Sequence, residues 1–209
     1  MAGSAAESAD RRRGALAARA ADLLRRGGLV LAPTETLVGL LGDALRDETV
    51  RRAAALKDRP AGEPFPLLLP SSRAVARVAA AFPAPLLRLA RRFWPGPLTL
   101  LLPALPGLPA GIVGPDGTVA VRVPGPSPAA RIVRRFAGPL FATSANPRGR
   151  PPPADVADVA PSFREAADLV VPGRSPGGPP STIVAWSAEG YRVVRPGAIP
   201  AAELLAAGT

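Results

Sequence analysis

The 209-residue chain has no cysteine, no histidine, one lysine, one tyrosine and two tryptophans. Each shortage closes a route. Without cysteine there is no disulfide framework, thiolate nucleophile or sulfur-bound metal. Without histidine the commonest general base and metal ligand is gone. A catalyst built from this chain must work with lysine, arginine, carboxylates, hydroxyls and backbone amides. That set favours binding and charge stabilisation, as in phosphoryl or nucleotidyl transfer, over proton shuttling. With six Phe, two Trp and one Tyr, material for base stacking is thin, so sequence-specific recognition of single strands is not expected. The apolar runs are too short to span a bilayer, and "MAGSAAESADRRR" lacks the apolar core of a signal peptide. A cytoplasmic protein without membrane attachment is expected.

What is present is charge of one sign and an apolar framework. The formal net charge is +10, and 47% of residues are hydrophobic. A chain of this length can bury the core of one globular unit. The charge points to polyanions, either nucleotide phosphates or nucleic acid. Arginine doublets such as Arg91 and Arg92 fall at the ends of expected helices, where dipole compensation accounts for them equally well. Lys57 is the single lysine, and the other 25 cationic side chains are arginine. Under such a bias toward arginine, a lone lysine points to chemistry that a guanidinium cannot do, with an accidental survivor of the bias as the alternative.

Hydrophobic periodicity predicts an α/β chain. Residues 1–14 read as a disordered polar tail and 15–203 as one domain. A helix is expected over 15–28 with a glycine stop, then a buried strand over 29–32. "PTETLVGLLGDA" (33–44) leaves that strand. A helix starts with Asp47 as N-cap and ends at Lys57, and further helices are expected over 72–80, 84–93 and about 127–136. "GPLTLLLPAL", "TVAVRVP", "PLFATSA", "DLVVPG", "STIVAW" and "YRVVRPG" read as strands. Strands interleaved with helices imply a mixed sheet, with loops at 146–156 and 172–180.

The chemical signals lie where strands end. Thr34, Glu35 and Thr36 follow a buried strand, where hydroxyls and free backbone amides can face a ligand or cap a helix. Lys57 and Arg59 close a helix, either as anion ligands or as dipole partners. Arg122 stands in a valine-rich strand, where a charge needs an anionic ligand or a buried salt bridge. Ser144 and Asn146 end "ATSAN", suited to hydrogen bonding a base or phosphate, or to an ordinary turn. Ser181, Thr182 and Arg195 repeat the pattern.

Taken in order, "PTET..GL..DA" (33–44), "K.RP...P" (57–64), "FWPGPLTLLLPA" (93–104), "VAVRVP" (119–124), "ATSAN" (142–146), "STIV" (181–184) and "RPGAI" (195–199) resemble the YrdC/Sua5 family of threonylcarbamoyl-adenylate synthases, from about residue 15 to about residue 200. The resemblance implies a YrdC-like single domain, a twisted mixed sheet flanked by helices with a positively charged concave face, in the short form of the family. It implies that L-threonine, bicarbonate and ATP are combined to threonylcarbamoyl-AMP with release of pyrophosphate. Downstream tRNA threonylcarbamoyl transferase proteins would then modify the adenosine beside the anticodon. It implies Lys57 and Arg59 as catalytic cations on the triphosphate and bicarbonate, and Thr34, Arg122 and Ser181 around threonine. Thr118, Ser144, Asn146 and Arg195 would join Lys57 and Arg59 on the nucleotide. No protein-bound metal is implied, Mg2+ arriving with the nucleotide. A weak electrostatic contact with tRNA stays open.

Four departures from the family pattern stand out. Val38 replaces an aromatic residue, Pro66 and Leu68 alter a strand, and "TSANPRG" puts Pro147 and Arg148 where a small flexible pair is usual. They leave open a related carbamoyl-adenylate enzyme with another acceptor, or an inactive RNA-binding module.

Overall fold

The computed structural model describes residues 2–60 and 62–208. Helix α1 spans Ala2–Arg25, so residues 2–14 extend the helix where a disordered tail is expected. Its sequence is rich in alanine and arginine, both strong helix formers. Glu7 and Arg11 pair one turn apart, and Asp10 reaches Arg131 at 3.0 Å. The chain then turns at Gly27, with φ of +86°, into β1 (Val30–Pro33) and β2 (Val38–Asp43), an antiparallel pair.

Helix α2 (Asp47–Leu56) starts one residue earlier in role than the sequence suggests, because Arg46 is its N-cap and Asp47 makes no capping hydrogen bond. Asp43 accepts from the Leu45 amide at 3.0 Å in the turn that leads into the helix. Asp47 instead sits in the first turn, where its charge suits the dipole, and pairs with Arg51. Only Leu67–Leu68 of the next apolar stretch forms a strand, β3. The helix expected over 72–80 is a short 3-10 segment, Ser72–Arg77. Its continuation is drawn into an extended path as Ala79 bridges to Ala104 and the Ala80 amide binds the Pro103 carbonyl.

The order continues with α3 (Ala84–Phe93), β4 (Leu98–Pro103), β5 (Thr118–Arg122), α4 (Pro128–Phe136) and β6 (Leu140–Ser144). It ends with α5 (Pro161–Ala166), β7 (Leu169–Val170), β8 (Thr182–Ser187), β9 (Gly190–Arg195) and α6 (Ala201–Gly208). Nine strands form one mixed sheet in the order β7-β1-β2-β6-β3-β5-β4-β8-β9. One face packs on α1 and α4 through Ala20, Leu24, Ile132 and Val133 against Val30, Leu41, Leu68 and Leu140. The larger core lies on the other face, with Leu31, Leu40, Leu100, Val121 and Phe141 against Val50, Leu86, Leu89 and Phe163. Leu68, one of the departures, is therefore core. Among the described residues no helix is long and apolar enough to cross a membrane.

This topology brings distant segments to one place. β6 sits between β2 and β3, and β3 pairs with β5. The ends of β1, β5, β6 and β9 and the entry to β8 thereby meet at one cleft, although they are spread along the sequence from Thr34 to Arg195.

Candidate active site

The cleft has a volume of about 590 Å³. Thr34, Thr36 and Leu37 line it from the turn after β1, Val38 and Gly39 from β2, and Ala142, Thr143 and Ser144 from β6. Arg59, Arg122, Ser181 and Arg195 complete its polar wall, with Pro66, Pro152, Gly178 and Pro180 on its margins. Among the described residues three arginines and no carboxylate line this space, which is an arrangement for an anion.

Arg122 ends β5 and is buried, with Nη1 donating to Glu35 Oε1 at 2.6 Å. The salt bridge anticipated for this strand is present, and the same guanidinium lines the cleft. Burial holds Arg122 below its ordinary pKa while Glu35 opposes the shift. The second carboxylate oxygen of Glu35 is buried and has no partner among the described residues. Arg195 donates through Nη2 to the Ser181 carbonyl at 2.8 Å and hydroxyl at 3.1 Å, and Ser181 Oγ shares a 2.8 Å hydrogen bond with Thr99 Oγ1. Burial first and the nearby Arg122 second lower the proton affinity of Arg195. Gly197 lets these groups meet: a Cβ there would lie 2.2 Å from the Pro180 carbonyl oxygen.

Thr34 holds its own turn. Its hydroxyl donates to the Leu37 carbonyl at 2.7 Å and accepts from the Thr36 and Leu37 amides at 3.1 and 3.2 Å. The helix-cap reading of "PTET" is not realised, because the segment leads into β2 and not into a helix, and the turn lies on the wall of the cleft. Arg59 donates to the Glu63 carbonyl through Nε at 2.6 Å and to the Pro64 carbonyl through Nη2 at 2.8 Å, with its guanidinium 4.6 Å from the Phe65 ring centroid. Burial, and after it the charge of Arg148, depress its pKa, against the pull of Glu63.

Lys57 and Asn146 are buried just behind the wall. Lys57 Nζ donates to the Ser144 carbonyl at 2.9 Å, the Asn146 carbonyl at 2.5 Å and Asn146 Oδ1 at 3.4 Å. Asn146 Nδ2 reaches the Pro147 and Arg150 carbonyls at 3.1 and 2.6 Å. The lone lysine therefore ties α2 to the loop after β6. Burial, aided by Arg59, pulls its pKa down to about 8. Thr118 lies at the far end of β5 from Arg122, in a turn where its hydroxyl donates to Asp116 at 2.7 Å, and it does not line the cleft.

Sequence reasoning noted Thr36 beside Thr34 without giving it a role, and missed Thr143 and Pro152 as site residues. Thr36 and Thr143 lay inside quoted motifs, but Pro152 enters only because its loop folds back, its neighbour Pro153 accepting from the Val38 amide at 3.0 Å. Among the described residues no cluster of three or more acidic side chains could hold a metal ion. A separate cavity of about 650 Å³ lies between α1 and α4, with Arg12, Arg13, Arg131 and Arg134 around Leu16, Ala17 and Ile132.

Comparisons with known proteins agree with this fold. The family model covering Sua5, YciO and YrdC, described as "Telomere recombination", matches residues 22–197. The threonylcarbamoyl-AMP synthase of Pyrococcus abyssi is 36% identical over 186 residues, covering 88% of this chain and 55% of that protein. The synonymous protein of Halorhodospira halophila is 41% identical over 155 residues, 74% of this chain and 81% of that one. The crystal structure of P. abyssi Sua5 complexed with L-threonine superposes with a TM-score of 0.86 at 35% identity, over 91% of this chain and 56% of that chain. This chain thus spans little more than half of the archaeal relative and most of the bacterial one. The chain belongs to the Sua5/YciO/YrdC family.

Proposed function

We propose that this chain is a threonylcarbamoyl-AMP synthase, an enzyme that joins L-threonine, bicarbonate and ATP to give threonylcarbamoyl-AMP, pyrophosphate and water. The observation that carries this reading is the cleft walled by Arg59, Arg122 and Arg195 with no carboxylate lining it. Threonine carbamate and the triphosphate are both anions and must be held against each other, so the dominant task is offsetting their repulsion. The carbamate oxygen attacks the α-phosphate, a new phosphorus–oxygen bond forms, and pyrophosphate leaves with the electrons of the broken bond.

The side chains divide accordingly. Arg122 supplies the part of its guanidinium not committed to Glu35 to the threonine carboxylate, beside Ser181 and the turn held by Thr34. Arg59 and Ser144 take the nucleotide, which brings its own Mg2+. Arg195 contacts both substrates in this reading, which its hydrogen bonds to Ser181 support. Lys57 and Asn146 act by holding the Ser144–Asn146 backbone. A cytoplasmic setting and hand-over of the labile product to a tRNA-modifying transferase complete the proposal.

The test is mass spectrometry of products from ATP, bicarbonate and a mixture of amino acids. Threonylcarbamoyl-AMP is expected, with pyrophosphate released only when threonine and bicarbonate are both present. A minor serine adduct is expected too, because the methyl that separates the two is worth only about 1–3 kcal/mol in a good pocket. A different dominant adduct would make the chain a related carbamoyl-adenylate enzyme. No adduct at all would favour a binding module.

The tRNA contact has a candidate surface. Arg12, Arg13, Arg134 and Arg135 around α1 and α4 have no ion-pair partner among the described residues. Weak tRNA binding that falls steeply with salt is expected, and Arg134→Ser with Arg135→Ser should lower the log–log salt slope by about one per arginine removed. An unchanged slope, measured by filter binding, would remove this surface from the contact.

A further inference from the structure

Two loops meet beside the nucleotide end of the cleft. One follows α2 and carries Arg59 and Glu63, and the other follows β6 and carries Asn146 and Arg148. Glu63 and Arg148 join them through a two-pronged ion pair, Nη2 to Oε1 at 2.9 Å and Nη1 to Oε2 at 3.3 Å. Both side chains are about half exposed, 52% for Arg148 and 47% for Glu63. An exposed pair of this kind is worth little and exchanges readily for a better anion.

The position of Glu63 gives the pair its meaning. Its backbone carbonyl accepts from Arg59 Nε at 2.6 Å, and Arg59 lines the cleft. Glu63 therefore links Arg148, through its carboxylate, to Arg59, through its carbonyl. Burial is the main influence on the proton affinity of Arg59 and lowers it, after which Glu63 raises it and Arg148 lowers it further. Arg148 is itself two residues from Asn146, in the loop whose backbone Lys57 fixes. Arg148 does not itself line the cleft, but its charge acts on Arg59, which does, and its present ligand is a carboxylate with the same forked geometry that phosphate oxygens offer.

We propose that Arg148 is an exchangeable phosphate ligand of this chain, held by Glu63 in the free protein and transferred to the triphosphate when MgATP binds. The inference rests on the nucleotide site proposed above. Glu63 is then a competitor of ATP for one guanidinium. A more highly charged, multiply oxygenated anion wins that competition because the forked hydrogen bonds are kept while the opposing charge increases. No covalent bond changes in this exchange.

Competition makes a prediction that a simple strap between loops does not. Removing the charge of Glu63 frees Arg148 and should tighten MgATP binding, whereas removing Arg148 should loosen it. A strap weakened from either side would shift binding in one direction only. The experiment is isothermal titration of MgATP, without threonine or bicarbonate, into the full chain and into Glu63→Gln, Arg148→Ala and Arg148→Lys. Glu63→Gln keeps the backbone carbonyl that holds Arg59.

The expected result is a Kd lowered at least about threefold in Glu63→Gln and raised at least about threefold in Arg148→Ala, with Arg148→Lys between Arg148→Ala and the parent. Shifts of the same sign in Glu63→Gln and Arg148→Ala, or Kd values equal to that of the parent, would overturn this inference and leave the synthase reading standing. A parent chain that binds no MgATP would overturn both.

Discussion

Lys57→Arg is expected to slow pyrophosphate release at least about tenfold, equivalent to roughly 1.4 kcal/mol of barrier, although the net charge of +10 is unchanged. The reason is geometric. Three oxygens, the carbonyls of Ser144 and Asn146 and the Asn146 side chain, converge within 3.4 Å of a single nitrogen. An ammonium meets them with three donors from one point, whereas a guanidinium spreads its donors over a plane and needs more room. The Ser144–Asn146 segment must move to admit it, and Ser144 lines the cleft. Lys57→Met, which keeps the stem and leaves buried acceptors unpaired, should also cost stability, roughly 1–3 kcal/mol for each orphaned group. The matched control is Arg92→Lys, an exposed helix-end exchange that should alter neither rate nor melting. Parental turnover by Lys57→Arg would make the single lysine an accident of composition.

The same contact has a pH signature with a definite sign. Folding lowers the Lys57 pKa from 10.5 to about 8, so the unfolded chain holds more protons between those values. Stability contributed at this position should therefore rise as pH is raised from about 8 toward 10.5, relative to Lys57→Met. Activity should move the other way, because loss of the proton removes one donor from the segment that shapes the cleft. Parallel melting and rate profiles of the two proteins check both signs.

The outline of this arrangement could be read from the chain, but its inner bonding could not. Strands β4, β5, β6, β8 and β9 announced themselves as apolar runs bounded by turn residues. β2 did not, because "VGLLGD" carries two glycines and looks like an exit from β1. Its glycines are there for packing: a Cβ on Gly42 would lie 2.3 Å from the Phe141 ring. The motifs located nearly every wall of the cleft, since they sit at strand ends and the sheet gathers those ends. What no linear pattern conveys is mutual satisfaction across the fold. That Lys57 answers backbone carbonyls 87 and 89 residues away, or that Thr34 spends its hydroxyl on its own turn, depends on strand order. Thr118 shows the converse, a polar strand residue that the register places four positions from Arg122 and outside the cleft.

Arg122→Lys is expected to raise the threonine concentration needed for half-maximal rate by at least about tenfold while leaving the ATP requirement nearly unchanged. A guanidinium can hold Glu35 with one edge and a substrate carboxylate with another, but an ammonium has no such division of labour. Glu35 will take the lysine, because its carboxylate is nearly buried, at 11% side-chain exposure, and already has one oxygen without a partner. The substrate end of the cleft then loses its fork. Arg122→Met goes further and leaves Glu35 as an uncompensated buried charge, for which roughly 3–5 kcal/mol of destabilisation is expected. Adding Glu35→Gln to Arg122→Met should restore much of that stability without restoring threonine use, since a buried pair replaced on both sides is far less costly than one broken on one side. Thermal melting and threonine titrations on the three variants separate the two duties of this residue. If Arg122→Lys melts lower than the parent yet shows no selective threonine defect, Arg122 is a structural partner of Glu35 and the carboxylate is bound elsewhere, with Arg195, the other arginine beside Ser181, the next residue to test.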